Sequence, residues 1–394
     1  FVYDREFADL LADVPAAIPR FLAWTDGVDS VDSGDLTLEE LMASTDSADL
    51  PRPPCTGGLI LLTSGTTGTP KGAPRKISSP FAAAQFLDRI PLRPAERTVF
   101  GAPLFHGTGL SQFLLTLALG STTILRRRFD PVAALTLIAE YRASTLVVVP
   151  TMLQRITNLD DAVLAGFDTS SLRIIFCAGS TLPPEVGNRA TELFGEVIHN
   201  LYGSTEVAVA TVATPQDWKR APGTVGRSPV GCRVALFDGD RRPVTEPNRT
   251  GRVFVGSGLR FSGYTGGGPK DEIDGLLSSG DIGHFDADGL LFIDGRDDDM
   301  IVSGGENVFP AEVENLLIEH PAISDAAVVG VSDADFGQRL KAFVVVRGEI
   351  PLTADDVRDH VRANLARHKV PREVAFVAEV PRNTTGKLLR KELS

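Results

Sequence analysis

The stretch STTILRRRFDPVAALTLIAEYRASTLVVVP, residues 121–150, decides the fold class. Residues 121–127 read as a strand, residues 130–142 as a helix, and residues 144–150 as a second strand. A strand, a helical crossover and another strand predict an α/β core with parallel strands. The pattern continues in both directions. Upstream, PFAAAQFLDRI (80–90) reads as a helix, RTVFGAPLF (97–105) as a strand entering a loop, and GLSQFLLTLALG (109–120) as a largely buried helix. Downstream, LRIIFCAG (172–179) and GEVIHNLYG (195–203) both end an apolar run in glycine, at the strand end where open α/β sheets hold ligands.

After about Pro222 the texture changes to short strands and glycine-rich turns: RVALFD, GRVFVGS and GLLFIDG predict a smaller antiparallel or barrel-like portion, about 222–296. GRDDDMIVSGGENVFP (295–310) reads as a junction. Beyond it, one helix, two strands, a second helix and a final strand predict a small α+β domain at 297–394, behind a large α/β domain at 1–296.

A chain of 394 residues with 43% apolar and 23% charged side chains suits a globular protein of two or three domains. A net charge of -12 argues against a nucleic-acid partner, which selects basic surfaces. Twelve acidic residues against two arginines crowd residues 1–50, and TDGVDSVDSGDL (25–36) reads as a solvated loop, because the glycine and glutamate spacing of a calcium loop is missing. Cys55, Cys177 and Cys232 are odd in number and far apart, which fits structural thiols in a reducing compartment. No apolar run reaches membrane-span length and the opening is no signal peptide, so a cytoplasmic place is expected, with peripheral membrane association as a variant. The opening FVYD resembles an interior strand, as if the chain began partway through a longer protein.

Six separated segments carry possible chemistry. TSGTTGTPKG (63–72) packs five hydroxyls, three glycines and Lys71 behind the apolar run GGLILL; it reads as a phosphate-handling loop or an ordinary turn. It departs from G-x-x-x-x-G-K-[ST], since Pro70 precedes Lys71 and Gly72 follows it. His106 in PLFHGTG reads as a wall between ligand sites more readily than as a base, because no carboxylate stands beside it in sequence. NLYGSTE offers Tyr202 for stacking on a planar base and Glu206 for magnesium, or else a strand end with a buried tyrosine. Asp281 in SSGDIG and Arg296 in DGRDDD suit a ribose and phosphate, or a surface ion pair. Lys387 in PRNTTGKLLR is either a mobile ammonium for phosphoryl chemistry or a solvent-facing lysine.

Taken in order, LLTSGTTGTPKG, PLFHGTG, NLYGSTE, SSGDIG, GRDDDMIVSGGENVFPAEVE and PRNTTGKLLR span residues 61–390 and resemble the adenylate-forming superfamily, most of all its acyl-CoA synthetases. That family converts a carboxylic acid and ATP to an acyl-adenylate and pyrophosphate, then passes the acyl group to a thiol. The resemblance implies that Thr63, Ser64, Thr66, Thr67 and Lys71 handle the β- and γ-phosphates, that Tyr202 stacks on adenine, and that Thr205 meets the α-phosphate. It also implies Glu206 as the Mg2+ ligand, Asp281 and Arg296 as ribose contacts, and Lys387 as the catalytic lysine of adenylation, with Thr66, Glu206 and His106 beside it in the catalytic group. Phe105, His106, Gly107, Ala178, Gly179 and Ser180 would line the acyl pocket, and Asp298 would be the hinge of a mobile C-terminal domain.

Two departures accompany the match: the first part of the large domain usual in the family is missing ahead of Phe1, and the loop GYTGGGPKDEIDGLLSSGD is compact, with Ser279 where a threonine is usual. The expected function is ATP- and Mg2+-dependent joining of a fatty or related hydrophobic acid to coenzyme A. The alternatives are a fatty acyl-AMP ligase serving a separate acyl carrier protein, and a non-catalytic nucleotide or acyl sensor.

Overall fold

The computed structural model describes residues 1–15, 17–24, 34–46, 59–63, 71–75, 82–204, 207–257, 271–303, 306–333, 337–348, 350–383 and 386–393. The chain divides into two compact units, residues 1–57 and 58–394. In the first, Val2–Asp4, Phe21–Trp24 and Leu36–Thr37 form a three-stranded parallel sheet around Tyr3, Leu11 and Leu22. Its helix Leu38–Ser44 starts at a capping box: Thr37 Oγ1 accepts from Glu40 N–H while the Glu40 carboxylate accepts from Thr37 N–H. Of the acidic loop at 25–36, residues 25–33 lie outside the described residues.

The second unit is built on a six-stranded sheet whose strands lie in the order Ala208–Ala213, Ile198–Ser204, Ile174–Ala178, Thr145–Val148, Arg97–Phe100, Thr122–Leu125. All pairings are parallel except that of Ala208–Ala213 with its neighbour. The two central strands are buried at every residue, as expected where helices cover both faces of a parallel sheet. The crossovers have ordinary causes. Pro131–Tyr141 opens with Asp130 Oδ1 accepting from Ala133 N–H at 2.8 Å and a proline at its first turn, and it stops where Arg142 turns left-handed at φ 48°. Its Ala134, Leu135 and Ile138 enter the same core as Val148, Ile175 and Trp218.

Along the chain, the five parallel strands run in the spatial order second, first, third, fourth, fifth. The crossover direction therefore reverses between Arg97–Phe100 and Thr145–Val148, and the carboxyl ends there form the crevice in which such sheets take ligands.

The β-rich portion follows as antiparallel strands Arg233–Phe237, Gly251–Gly256, Glu272–Ile273, Leu276–Phe285 and Leu291–Arg296. From Ile301 on, a second mixed sheet with Pro310–Ile318 and Ala354–Asn364 has its own interior. Its buried clusters, centred on Val313, Leu317, Val328 and Val344 and on Val329 and Phe343, share no residue with those of the first sheet.

At the opposite, amino-terminal edge of the large sheet, a cleft of about 380 Å³ is lined by Asp88, Arg89, Arg173, Glu196, His199 and Thr214. Its arginines are engaged as braces, Arg89 with Asp217 at 2.5 Å and Arg173 with Glu96 at 2.6 Å. His199, 3% exposed, donates Nδ1–H to the Val197 carbonyl, and burial pushes its pKa from 6.5 down to about 4, with Arg173 and Arg89 adding to the fall. The unfolded chain therefore takes up a proton between about pH 6.5 and 4 that the folded chain refuses. Stability is full above that window and falls through it by about 3 kcal/mol. Urea midpoints measured from pH 7 to 4 are expected to show this slope, and His199→Gln to flatten it; an unchanged slope in the variant rules it out.

Candidate active site

Apart from Thr63 and Lys71, which lie on a separate hairpin, the predicted residues in the described chain are positioned by the strands and turns that carry them. Ile198–Ser204 carries Tyr202 at its end, where a bulge between Tyr202 and Gly203 bends the strand. Glycine is required at 203, since a β-carbon there would sit 1.8 Å from the Ala208 carbonyl oxygen. Tyr202 donates its hydroxyl to Asp281 Oδ2 at 2.5 Å. Burial, reinforced by the Asp281 charge, drives the phenol well above its usual pKa, so it stays a donor.

Asp281 and Arg296 meet because they are register partners on Leu276–Phe285 and Leu291–Arg296. Asp281 is 9% exposed, with Oδ1 3.7 Å from an Arg296 guanidinium nitrogen. Arg296 also grips Asp298, Nε to Oδ1 at 2.8 Å and a terminal nitrogen to Oδ2 at 3.3 Å. That bidentate bond holds the Asp298 carboxyl below its usual pKa, and the nearby Lys387 charge acts in the same direction. Tyr202, Asp281, Arg296 and Asp298 thus form one continuous polar chain, and the Lys387 charge acts on its Asp298 end, although these positions in the sequence run from 202 to 387.

Lys387 is exposed, at the position that closes a turn opposite Asn383. Its backbone N–H donates to Asn383 Oδ1 and its carbonyl accepts from Asn383 N–H, both at 2.9 Å. Two arginines that the sequence reading passed over hold the turn's flanks. Arg382 pairs with Asp325 at 2.9 Å and donates to the Gly386 carbonyl at 3.0 Å. Arg390 pairs with Glu314 at 2.5 Å, donates to the Val328 carbonyl at 2.6 Å and reaches Asp299 at 3.5 Å. The signal was present as the two arginines bracketing the lysine; their partners, 57 and 76 residues away, were not legible.

At the crevice, His106 caps Gly107–Ala118: its Nδ1 accepts from Thr108 N–H at 3.3 Å. A neutral ring held this way carries its proton on Nε2 and offers a donor outward, and burial lowers its pKa, which favours that neutral form. Ala178 ends its strand buried. A β-carbon on the next residue, Gly179, would lie 3.4 Å from Val149 Cγ1, 3.7 Å from Thr108 Oγ1 and 3.8 Å from His106 Cε1, so these groups are neighbours. Ser180 is half-buried beside it, Gly107 opens the helix, and Phe105 is 71% exposed.

Thr63 and Lys71 are register partners at the closed end of the hairpin Leu59–Thr63 and Lys71–Arg75. Ser64, Thr66, Thr67, Thr205 and Glu206 lie outside the described residues. Among the described residues, no group of three His, Cys, Asp or Glu is placed to hold a metal, and no helix is long and apolar enough to cross a membrane.

Comparison with known proteins shows the family. The AMP-binding enzyme family matches residues 24–265, and the AMP-binding enzyme C-terminal domain matches residues 312–387. An indoleacetate–CoA ligase of Aromatoleum aromaticum is 34% identical over 98% of this chain and 80% of its own length. A sulfoacetate–CoA ligase of Cupriavidus necator is 33% identical over 91% of this chain and 71% of its own. Among solved structures, the anthranilate CoA ligase AuaEII in complex with anthranoyl-AMP is similar at a TM-score of 0.88 and 27% identity, covering all of this chain and 77% of that one. The chain belongs to the AMP-binding enzyme family.

Proposed function

We propose that this chain activates a carboxylic acid with ATP to an acyl-adenylate, releasing pyrophosphate, and transfers the acyl group to coenzyme A. The observation that carries the reading is the polar chain Tyr202–Asp281–Arg296–Asp298, with Lys387 placed so that its charge acts on Asp298. It offers carboxylate acceptors for a ribose diol, a guanidinium and an ammonium for phosphate oxygens, and a lysine that enters from another part of the chain. Mg2+ would be held by one or two carboxylates together with substrate phosphates, with Glu206, which lies outside the described residues, as its protein ligand, and would supply charge neutralisation at the phosphates.

For the acid, the fatty-acid expectation gives way to an aromatic or arylacetic acid. Relatives matching nearly the whole chain carry indoleacetate and anthranilate in their names. Val149, Thr108 and the His106 ring stand within 4 Å of where a side chain at Gly179 would begin, and we place the acid beside them, with Phe105, Gly107, Ala178, Gly179 and Ser180 as its pocket. Residues 297–394 are the rotating part and Asp298 its hinge.

The test is acid-dependent exchange of labelled pyrophosphate into ATP across aromatic, arylacetic, short polar and graded fatty acids, with thioester product measured on coenzyme A and on a carrier protein in parallel. Exchange with aromatic acids and thioester on coenzyme A are expected. Exchange confined to fatty acids overturns the acid assignment, carrier-only product overturns the acceptor, and no exchange at all from folded protein leaves a sensor.

Asp281→Asn keeps the shape of the side chain and removes its charge. Its loss is expected to raise the KM for ATP by about 10–100-fold, the worth of a hydrogen bond to a charged group. An unchanged KM would show that the ribose lies elsewhere.

A further inference from the structure

The helix Pro150–Thr157 starts immediately beyond the carboxyl end of Thr145–Val148, at the point where the strand order reverses. Two of its side chains, three residues apart and so on one face, reach the part of the chain beyond Ile301. Gln154 donates Nε2–H to the Ser324 carbonyl at 2.8 Å. Thr151 fills the place of a side chain at Gly386: a β-carbon there would lie 2.4 Å from Thr151 Oγ1 and 3.1 Å from Cγ2, and Gly386 has φ +79°. The two contacts are joined from behind. Ser324 adjoins Asp325, Asp325 binds Arg382, and Arg382 holds the Gly386 carbonyl. Gly386 is in turn the neighbour of Lys387.

We propose that Thr151 and Gln154 are positioning residues that select the lysine-in orientation for adenylation, with Gly386 the surface they receive. The proposal rests on the adenylation reading above and adds which residues choose between its two half-reactions. Thr151, Gln154, Ser324 and Gly386 belong to none of the buried hydrophobic clusters, whereas the two bodies they join have separate interiors. Such contacts set orientation and leave each body's fold to its own core. They are made only while Lys387 faces the carboxyl edge, so weakening them penalises the half-reaction that needs the lysine and spares the one that follows.

The experiment measures two rates on the full chain: acid-dependent pyrophosphate–ATP exchange, and thioester formation from supplied acyl-adenylate and coenzyme A. Gln154→Ala is expected to lower exchange about fivefold, the worth of one hydrogen bond, and leave the thioester step unchanged or faster. Thr151→Leu, which thrusts a larger group at the Gly386 turn, is expected to lower exchange by about tenfold or more with the same sparing. Gly386→Ala loses exchange through the clash and also through its positive φ. Adding Thr151→Gly to Gly386→Ala empties the contested space and is expected to restore part of the exchange, which relief of backbone strain alone cannot do.

Thermal midpoints of all variants verify folding. Equal loss in both rates, or no recovery in the double variant, overturns the proposal. Exchange in the parent chain with unaffected variants overturns it while leaving the adenylation reading intact, and an inactive parent chain overturns both.

Discussion

Lys387→Ala is expected to lower acid-dependent pyrophosphate exchange by about 10²–10³-fold, the usual cost of removing one preorganised charge from a developing transition state. The thioester-forming step from supplied acyl-adenylate should retain most of its rate. The geometry gives the reason. The ammonium is carried by a turn braced by Arg382 and Arg390, and its charge already acts on Asp298. Alanine removes the charge and leaves both braces, so the turn and its docking survive the change. A loss shared equally by the two steps would falsify the role given to this side chain.

Trp218→Ala is expected to cost about 3–5 kcal/mol of folding stability, read from the urea midpoint. Trp218 is 2% exposed, in the core that contains Val186, Ala190 and Ile198. It lies so close over Gly187 that a β-carbon there would fall 2.0 Å from Cζ2, and its Nε1–H donates to Asn188 Oδ1 at 3.2 Å. Truncation therefore opens a cavity and leaves Asn188 without this donor, in a domain whose total stability is about 5–15 kcal/mol. Because the helix Pro215–Arg220 follows the strand that leaves from the amino-terminal edge, turnover per folded molecule should hold. A midpoint within error of the parent would mean that the core closes over the gap.

The sheet was legible because its signal is local. Apolar runs of strand length alternating with helical spacing, as at residues 121–150, say strand–helix–strand before any contact is known. Ala208–Ala213 escaped the reading because its small side chains show no period, and it reverses direction only by pairing with Ile198–Ser204 through a bulge. Pro150–Thr157 escaped because it begins within one residue of a buried strand, so the apolar run hid the boundary. At the candidate site, residue types singled out Tyr202, Asp281, Arg296 and Lys387. Their linkage was not readable: Tyr202 and Asp281 meet across 79 positions, and Thr151 against Gly386 is a matter of shape between two bodies. Chemistry is written in side-chain identity, whereas docking is written in which atoms are missing.

The separate interior of the chain beyond Ile301 has a mechanical consequence. A part that keeps its own oil-filled centre can swing about a pivot without wetting any of it, so the barrier to swinging is made of surface contacts alone. Calorimetry should then resolve two endotherms, and a change confined to the junction such as Gln154→Ala should leave both where they stand.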